Sequence, residues 1–140
     1  MRGTFVGTPL YASPEMLSCS ISGPYTDLWA LGVIVYQLFN GEVPWKSNQE
    51  FVIFQQILDK QIEYPETMPT EVIDLVDRLL CINPFERLGA GPAGSDNDFE
   101  ALKNHKLFEG IDFEKMKQGN TTPPVPKELI ENYEKLKNDN

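Results

Sequence analysis

Histidine occurs once and cysteine twice in these 140 residues. A zinc site draws on about four such ligands, and His105, Cys19 and Cys81 cannot assemble one. The cysteines stand far apart with no C-x-x-C pair, which suits a reducing compartment better than a disulfide scaffold. Basic residues are also few, with 12 Lys and Arg against 21 Asp and Glu for a net charge of −9. Their densest group, Lys103 to Lys106 with Lys115 and Lys117, is interleaved with acids and reads as a solvated face. Phosphate-backbone binding needs clustered cations, so a nucleic-acid partner is excluded. The N-terminus, MRGTFVGTP, has no apolar signal core. The longest apolar run, Leu28 to Phe39, is interrupted by Gly32 and Gln37 and falls well short of a membrane span. A cytosolic or nuclear, most simply cytoplasmic, protein without membrane contact is expected. Asn120-Thr121-Thr122 is then a chance sequon.

Strand signals are almost missing too, while apolar residues at 41% and charged ones at 24% are those of a soluble globular protein. What remains reads as four helices and loops. Residues 1–22 form a Gly-, Thr-, Ser- and Pro-rich loop with one short helical turn at Pro14 to Leu17. Thr26 to Asn40 reads as a helix capped by Thr26, with Asp27 at the positive dipole end and Asn40-Gly41 as a left-handed stop. It is apolar on nearly every side, so it must be buried all round. Ser47 and Glu50 have capping-box spacing, and the helix after them, to about Lys60, places Phe51, Phe54, Ile57 and Leu58 on one face. Thr70 opens a third helix with a stripe of Val72, Ile73, Val76, Leu79 and Leu80, and Asn83-Pro84 ends it. Gly89 to Asp98 reads as a flexible loop of small residues; it follows a helix and lacks the pattern of a phosphate cradle. Phe99 to Asn104 is a short fourth helix, and the chain turns polar and proline-marked from Gly110.

Three motifs in fixed order, T-F-V-G-T-P-L-Y-A-S-P-E, D-L-W-A-L-G and N-P-F-E-R-L-G, resemble the latter part of a eukaryotic serine/threonine protein kinase domain. The resemblance runs from about residue 2 to about residue 126. Within the kinases, the AGC group is the best match, and LWALGVIVYQLFNGEVPW, NQEFVIFQQI and Ser13-Pro14-Glu15 look most like its 3-phosphoinositide-dependent kinases. Thr8-Pro9 departs from that subfamily toward the wider group. The resemblance implies a mainly α fold, the partial helical C-terminal lobe of the protein-kinase-like fold, with the N-terminal lobe absent. It assigns 1–22 to the end of the activation segment and the substrate loop, 23–109 to the helical lobe, and 110–140 to part of an AGC-type tail.

The same resemblance implies roles for single residues. Thr4 would accept the activating phosphate, whose charge and oxygens clamp a loop onto a basic cluster. Gly7, Thr8, Pro9 and Tyr11 would seat the substrate, with Thr8 bonding the catalytic aspartate. Glu15 and Arg87 would form a buried ion pair, and Asp27 would anchor the catalytic loop. Each has a plainer reading: an exposed threonine, an ordinary turn, unrelated surface charges, a first-turn acid. Val43-Pro44-Trp45 and the helix after Ser47 would dock substrates or regulators, and the tail around Pro123-Pro124-Val125-Pro126 would run back along the domain rather than serve as an SH3-type ligand.

Phosphoryl transfer needs a glycine-rich loop, a strand lysine, a catalytic-loop aspartate and asparagine, and a magnesium-binding aspartate. No V-A-I-K, H-R-D or D-F-G occurs here, so the chain carries no catalytic, ATP-binding or metal-binding residue of its own. ATP and Mg2+ are implied for a complete kinase and none for this chain alone. Its expected partners are protein substrates at Ser or Thr and the N-terminal lobe and catalytic loop of its own kinase. Without them the Leu28–Phe39 helix would show an apolar patch and favour poor solubility. The alternatives are a non-catalytic binding module derived from a kinase lobe and a structural remnant.

Overall fold

A computed structural model describes residues 9–119 and 121 of the chain. It is helical, with no strand among the described residues. Among these residues six α-helices follow one another: α1 (Pro14–Cys19), α2 (Pro24–Asn40), α3 (Glu50–Leu58), α4 (Thr70–Leu79), α5 (Phe99–Lys103) and α6 (Phe113–Lys117). Single 3-10 turns occupy Pro9–Tyr11, Pro84–Glu86 and Lys106–Phe108. The chain separates into two compact units at residues 109 and 110, and α6 belongs to the second. Its first turn is closed by the Asp112 carboxylate, which accepts from the Lys115 amide at 3.0 Å.

The first unit is organised around α2 and α4. Trp29, Val33 and Tyr36 of α2 meet Val72, Leu75, Val76 and Leu79 of α4, with Ile57, Leu88 and Leu102 closing the cluster. Gly32 lets the two helices approach: a Cβ there would lie 2.8 Å from Leu80 Cδ2 and 3.0 Å from Leu79 Cβ. Trp29 and Trp45 stack with parallel planes, 5.7 Å between ring centroids, and both are fully buried. The Lys106–Phe108 turn is fastened to α4 through His105. His105 Nδ1 accepts from the Leu107 amide at 3.1 Å, so Nε2 carries the proton and donates to Asp74 at 2.7 Å.

Four local expectations change in the folded chain. Pro24, pre-set for a first helical position, starts α2 two residues before Thr26, with extended Gly23 as the cap. Thr26 closes that end from inside, its Oγ1 accepting from the Gly23 amide at 3.1 Å. Ser47 does not cap α3; its hydroxyl accepts from the Gln49 amide in a turn, and the helix begins at Glu50. Six of the nine α3 residues are apolar, so periodicity leaves the inward face open and packing selects Ile53 and Ile57, while Phe51 points outward. The small-residue loop from Gly89 is tied down by hydrogen bonds. The Gly89 and Gly91 amides donate to the Asn97 carbonyl at 2.8 and 3.0 Å, and the Gly94 amide donates to Asp98 at 2.7 Å.

The helix expected to be buried on every side is not. Ile34, Leu38 and Phe39 leave α2 on its outer side, with Leu38 77% exposed. The helix ends as its sequence indicates, at Gly41 with φ +82°, whose amide donates to the Gln37 carbonyl at 2.8 Å.

Gly32→Ala tests the α2–α4 approach. An extra carbon forced into a packed core costs about 1–3 kcal/mol, against about 1 kcal/mol gained in helix propensity. The variant is expected to melt at lower temperature than the parent by circular dichroism; an unchanged or higher midpoint would show that the helices have slack at this point.

Candidate functional site

The residues singled out in the opening loop fall into two groups. Thr4, Gly7 and Thr8 lie outside the described residues. From Pro9 onward the backbone is defined: a 3-10 turn through Tyr11, then Ala12 and Ser13 in the interior, then α1. The Ser13 carbonyl accepts from the Met16 and Leu17 amides at 3.0 and 3.1 Å, which closes the first turn of α1. Tyr11 lies at the surface, its phenol donating to Gln37 Oε1 of α2 at 2.6 Å. Asp27 stands exposed in the first turn of α2, where the helix dipole favours an anion.

Glu15 and Arg87, 72 positions apart, are brought together. Arg87 Nη1 donates to Glu15 Oε1 at 2.8 Å and Nη2 to Oε2 at 2.7 Å, a two-point fork. The Arg87 side chain has no exposed surface, and that of Glu15 keeps 12% of its own. A guanidinium taken out of water needs its remaining donors filled. Nη1 also reaches the Tyr25 carbonyl at 2.8 Å, and Nε reaches the Cys81 carbonyl at 3.0 Å. The guanidinium carbon lies 5.0 Å from the Trp29 ring centroid, over the indole face. One charge therefore joins α1, the start of α2 and the segment after α4. The Thr26 hydroxyl adds a long contact, 3.4 Å, to Glu15 Oε1.

Arg87 is itself held in place. The 3-10 turn before it is capped by Asn83, whose Oδ1 accepts from the Phe85 amide at 3.2 Å. The Leu88 amide behind it donates to the Arg78 carbonyl at 2.9 Å. Asn97 Nδ2 reaches back from the small-residue loop to the Phe85 carbonyl at 3.0 Å and the Arg87 carbonyl at 3.4 Å. Sequence reasoning missed these supports. Two of Arg87's four hydrogen bonds go to backbone carbonyls, which no side-chain pattern reveals. The apolar pattern places Trp29 in the core but does not reveal its place under the Arg87 guanidinium.

Partial burial pushes the Glu15 carboxyl up, but the surrounding hydrogen bonds, led by those of Arg87, together with the Arg87 charge outweigh it and hold the carboxyl below its ordinary 4.5. A depressed carboxylate stabilises the fold above its unfolded pKa, and that contribution fades as pH falls through the lower folded value. Below pH 4.5 the native protein is therefore expected to lose stability more steeply than Glu15→Gln. At neutral pH that substitution, which strands the buried guanidinium, should cost about 3–5 kcal/mol. Urea denaturation across pH 3–7 of both proteins checks this; parallel stability curves would show that Glu15 contributes no charge-dependent term.

Comparison with known proteins places this geometry. The protein kinase domain family matches residues 2–108, a span that contains Glu15, Asp27 and Arg87. A probable serine/threonine-protein kinase of Dictyostelium discoideum is 39% identical over 125 residues. The 3-phosphoinositide-dependent protein kinases 1 of Arabidopsis thaliana and Homo sapiens are 41% and 38% identical, each over 121 residues. These alignments cover 88%, 86% and 86% of this chain. They cover only 18%, 23% and 21% of the three relatives, so the chain spans about a fifth of their length. A helical unit with its Glu15–Arg87 fork, matched across most of its length, leaves one assignment: the chain belongs to the protein kinase domain family and is similar to a part of the 3-phosphoinositide-dependent protein kinases.

Proposed function

We propose that this chain supplies the end of the activation segment, the substrate loop and the docking helices of a kinase that transfers the ATP γ-phosphate to Ser or Thr of proteins. The observation that carries the reading is the buried Glu15–Arg87 fork, which fixes the end of the opening loop onto the helical unit. In this reading Thr4 receives the activating phosphate. Gly7, Thr8, Pro9 and Tyr11 seat the substrate chain, and Asp27, exposed at the head of α2, holds the catalytic loop. Residues 1–22 form the loop region, 23–109 the helical lobe, and 110–140 part of the tail. The outward Ile34, Leu38 and Phe39 of α2 give the remainder of the kinase an apolar surface to pack on.

ATP and Mg2+ belong elsewhere in such an enzyme. Among the described residues no three His, Cys, Asp or Glu side chains are grouped to hold a metal ion, and the sequence has no lysine, aspartate or asparagine in the motifs that hold MgATP. This chain's residues do not fit the nucleotide, and its part is to hold and present the substrate.

Two results are expected. The purified chain should show no magnesium-dependent ATP binding by calorimetry and no phosphotransfer to a serine peptide; ATP turnover by pure protein would contradict the assignment of parts. Joined in frame behind the N-terminal lobe and catalytic loop of a related 3-phosphoinositide-dependent kinase, it should restore phosphotransfer. Thr4→Ala in that fusion should lower kcat/KM by about tenfold or more, the scale of 1.4 kcal/mol in the barrier. A folded, soluble fusion without activity, or one indifferent to Thr4→Ala, would refute the proposal.

A further inference from the structure

A cavity of about 570 Å³ lies between the last turns of α2, the segment after it, α3 and the segment after α3. The Pro9–Tyr11 turn, Glu15 and Arg87 take no part in its wall. Most of its donors are engaged. The Tyr36 phenol donates to the Glu63 carbonyl at 2.8 Å, the Asn40 amide nitrogen to the Glu42 carbonyl at 3.3 Å, and the Gln61 amide nitrogen to Asp59 Oδ2 at 3.4 Å. The Lys46 ammonium is paired with Glu42. Two acceptors in the wall are open. Gln56 Oε1 is buried with no hydrogen-bond partner among the described residues, and the Glu63 carboxylate has no ion-pair partner among them.

A buried acceptor left without a donor is unfavourable, so the cavity favours an occupant that brings N–H groups. Charge narrows the class. Glu42 neutralises Lys46, and Glu63 is left to set the sign of the field. Burial and the Glu63 charge push the Tyr36 phenol above its ordinary value, so that charge is felt at the cavity wall. A carboxylate would face Glu63 as a like charge and bring no donor. A guanidinium carries five N–H donors in a planar fork and is more weakly hydrated than an ammonium, so it can serve an amide oxygen and a carboxylate together. The apolar part of the wall, Val43, Pro44 and Ile62, suits the methylene stem that arginine lays along apolar surface. Gln61 and Glu63 are exposed, which leaves the site open to a chain arriving from solvent. We propose that this cavity is a docking site for an arginine side chain of a partner polypeptide, its guanidinium at Gln56 and Glu63 and its stem along Val43, Pro44 and Ile62. The site stands apart from the substrate-loop reading and does not depend on it.

The test uses the isotope-labelled full chain and end-blocked glycine peptides with a single central Arg, citrulline, Lys or Glu. Citrulline keeps the length and shape of arginine without its charge. Binding is read by NMR from the assigned side-chain amide signals of Gln56. The Arg peptide is expected to move those signals and to bind about two- to fivefold more tightly than the citrulline peptide, the range of one exposed ion pair. The Lys peptide should bind more weakly than the Arg peptide, and the Glu peptide should leave the signals in place. Methylguanidinium, which lacks the stem, should also bind more weakly than the Arg peptide. Glu63→Gln, a change at an exposed position, should abolish the preference for Arg over citrulline. Citrulline, lysine or methylguanidinium binding as tightly as the Arg peptide would overturn the proposal. So would a preference that survives Glu63→Gln, or an Arg peptide that leaves the Gln56 signals unmoved.

Discussion

A guanidinium with no exposed surface is the constraint around which the first unit is arranged. Arg87 cannot stay charged in the interior without partners, and its partners come from three distant places: Glu15 from the opening segment, the Tyr25 carbonyl from the head of α2, and the Cys81 carbonyl from the segment after α4. Trp29 supplies a π face and stacks in turn on Trp45. An unpaired charge here would cost more than the pair itself contributes. The geometry therefore specifies one arrangement more than it adds raw stability. It sets where the chain leaves the loop and enters the helices.

Much of this was legible in the sequence because its signals are redundant. Four of the helices follow from apolar runs bounded by proline, glycine and polar caps, and the α4 stripe is clear enough that four of its five expected residues, all but Ile73, are buried. Legibility fails where local chemistry is ambiguous. Thr26 and Ser47 have the right side chains for caps, yet Pro24 and the turn at Gln49 decide where the helices begin. In α3 nearly every residue could face inward, and only tertiary packing separates Ile53 from Phe51. The loop after Gly89 looks permissive by composition, but Asn97 and Asp98 bond it in place. Arg87's carbonyl acceptors carry no sequence signature at all. Thr4, Gly7 and Thr8, named from motif resemblance, lie beyond the described residues.

Family membership and geometry bear on function at different levels. The match to the protein kinase domain over residues 2–108 identifies the lineage, and the relatives are about five times longer than the part this chain aligns to. That difference keeps the activity of the full-length relatives separate from what the fold of this chain itself supports.

A double-mutant cycle on Glu15→Gln and Arg87→Met, read by urea denaturation at pH 7, tests the central claim most directly. If the fork holds the opening segment to the helical unit, the two substitutions should be strongly coupled, by more than 1 and up to about 3 kcal/mol, with the double variant less destabilised than the sum of the single ones. Additivity within about 0.5 kcal/mol would contradict it, and would mean that the two side chains contribute independently.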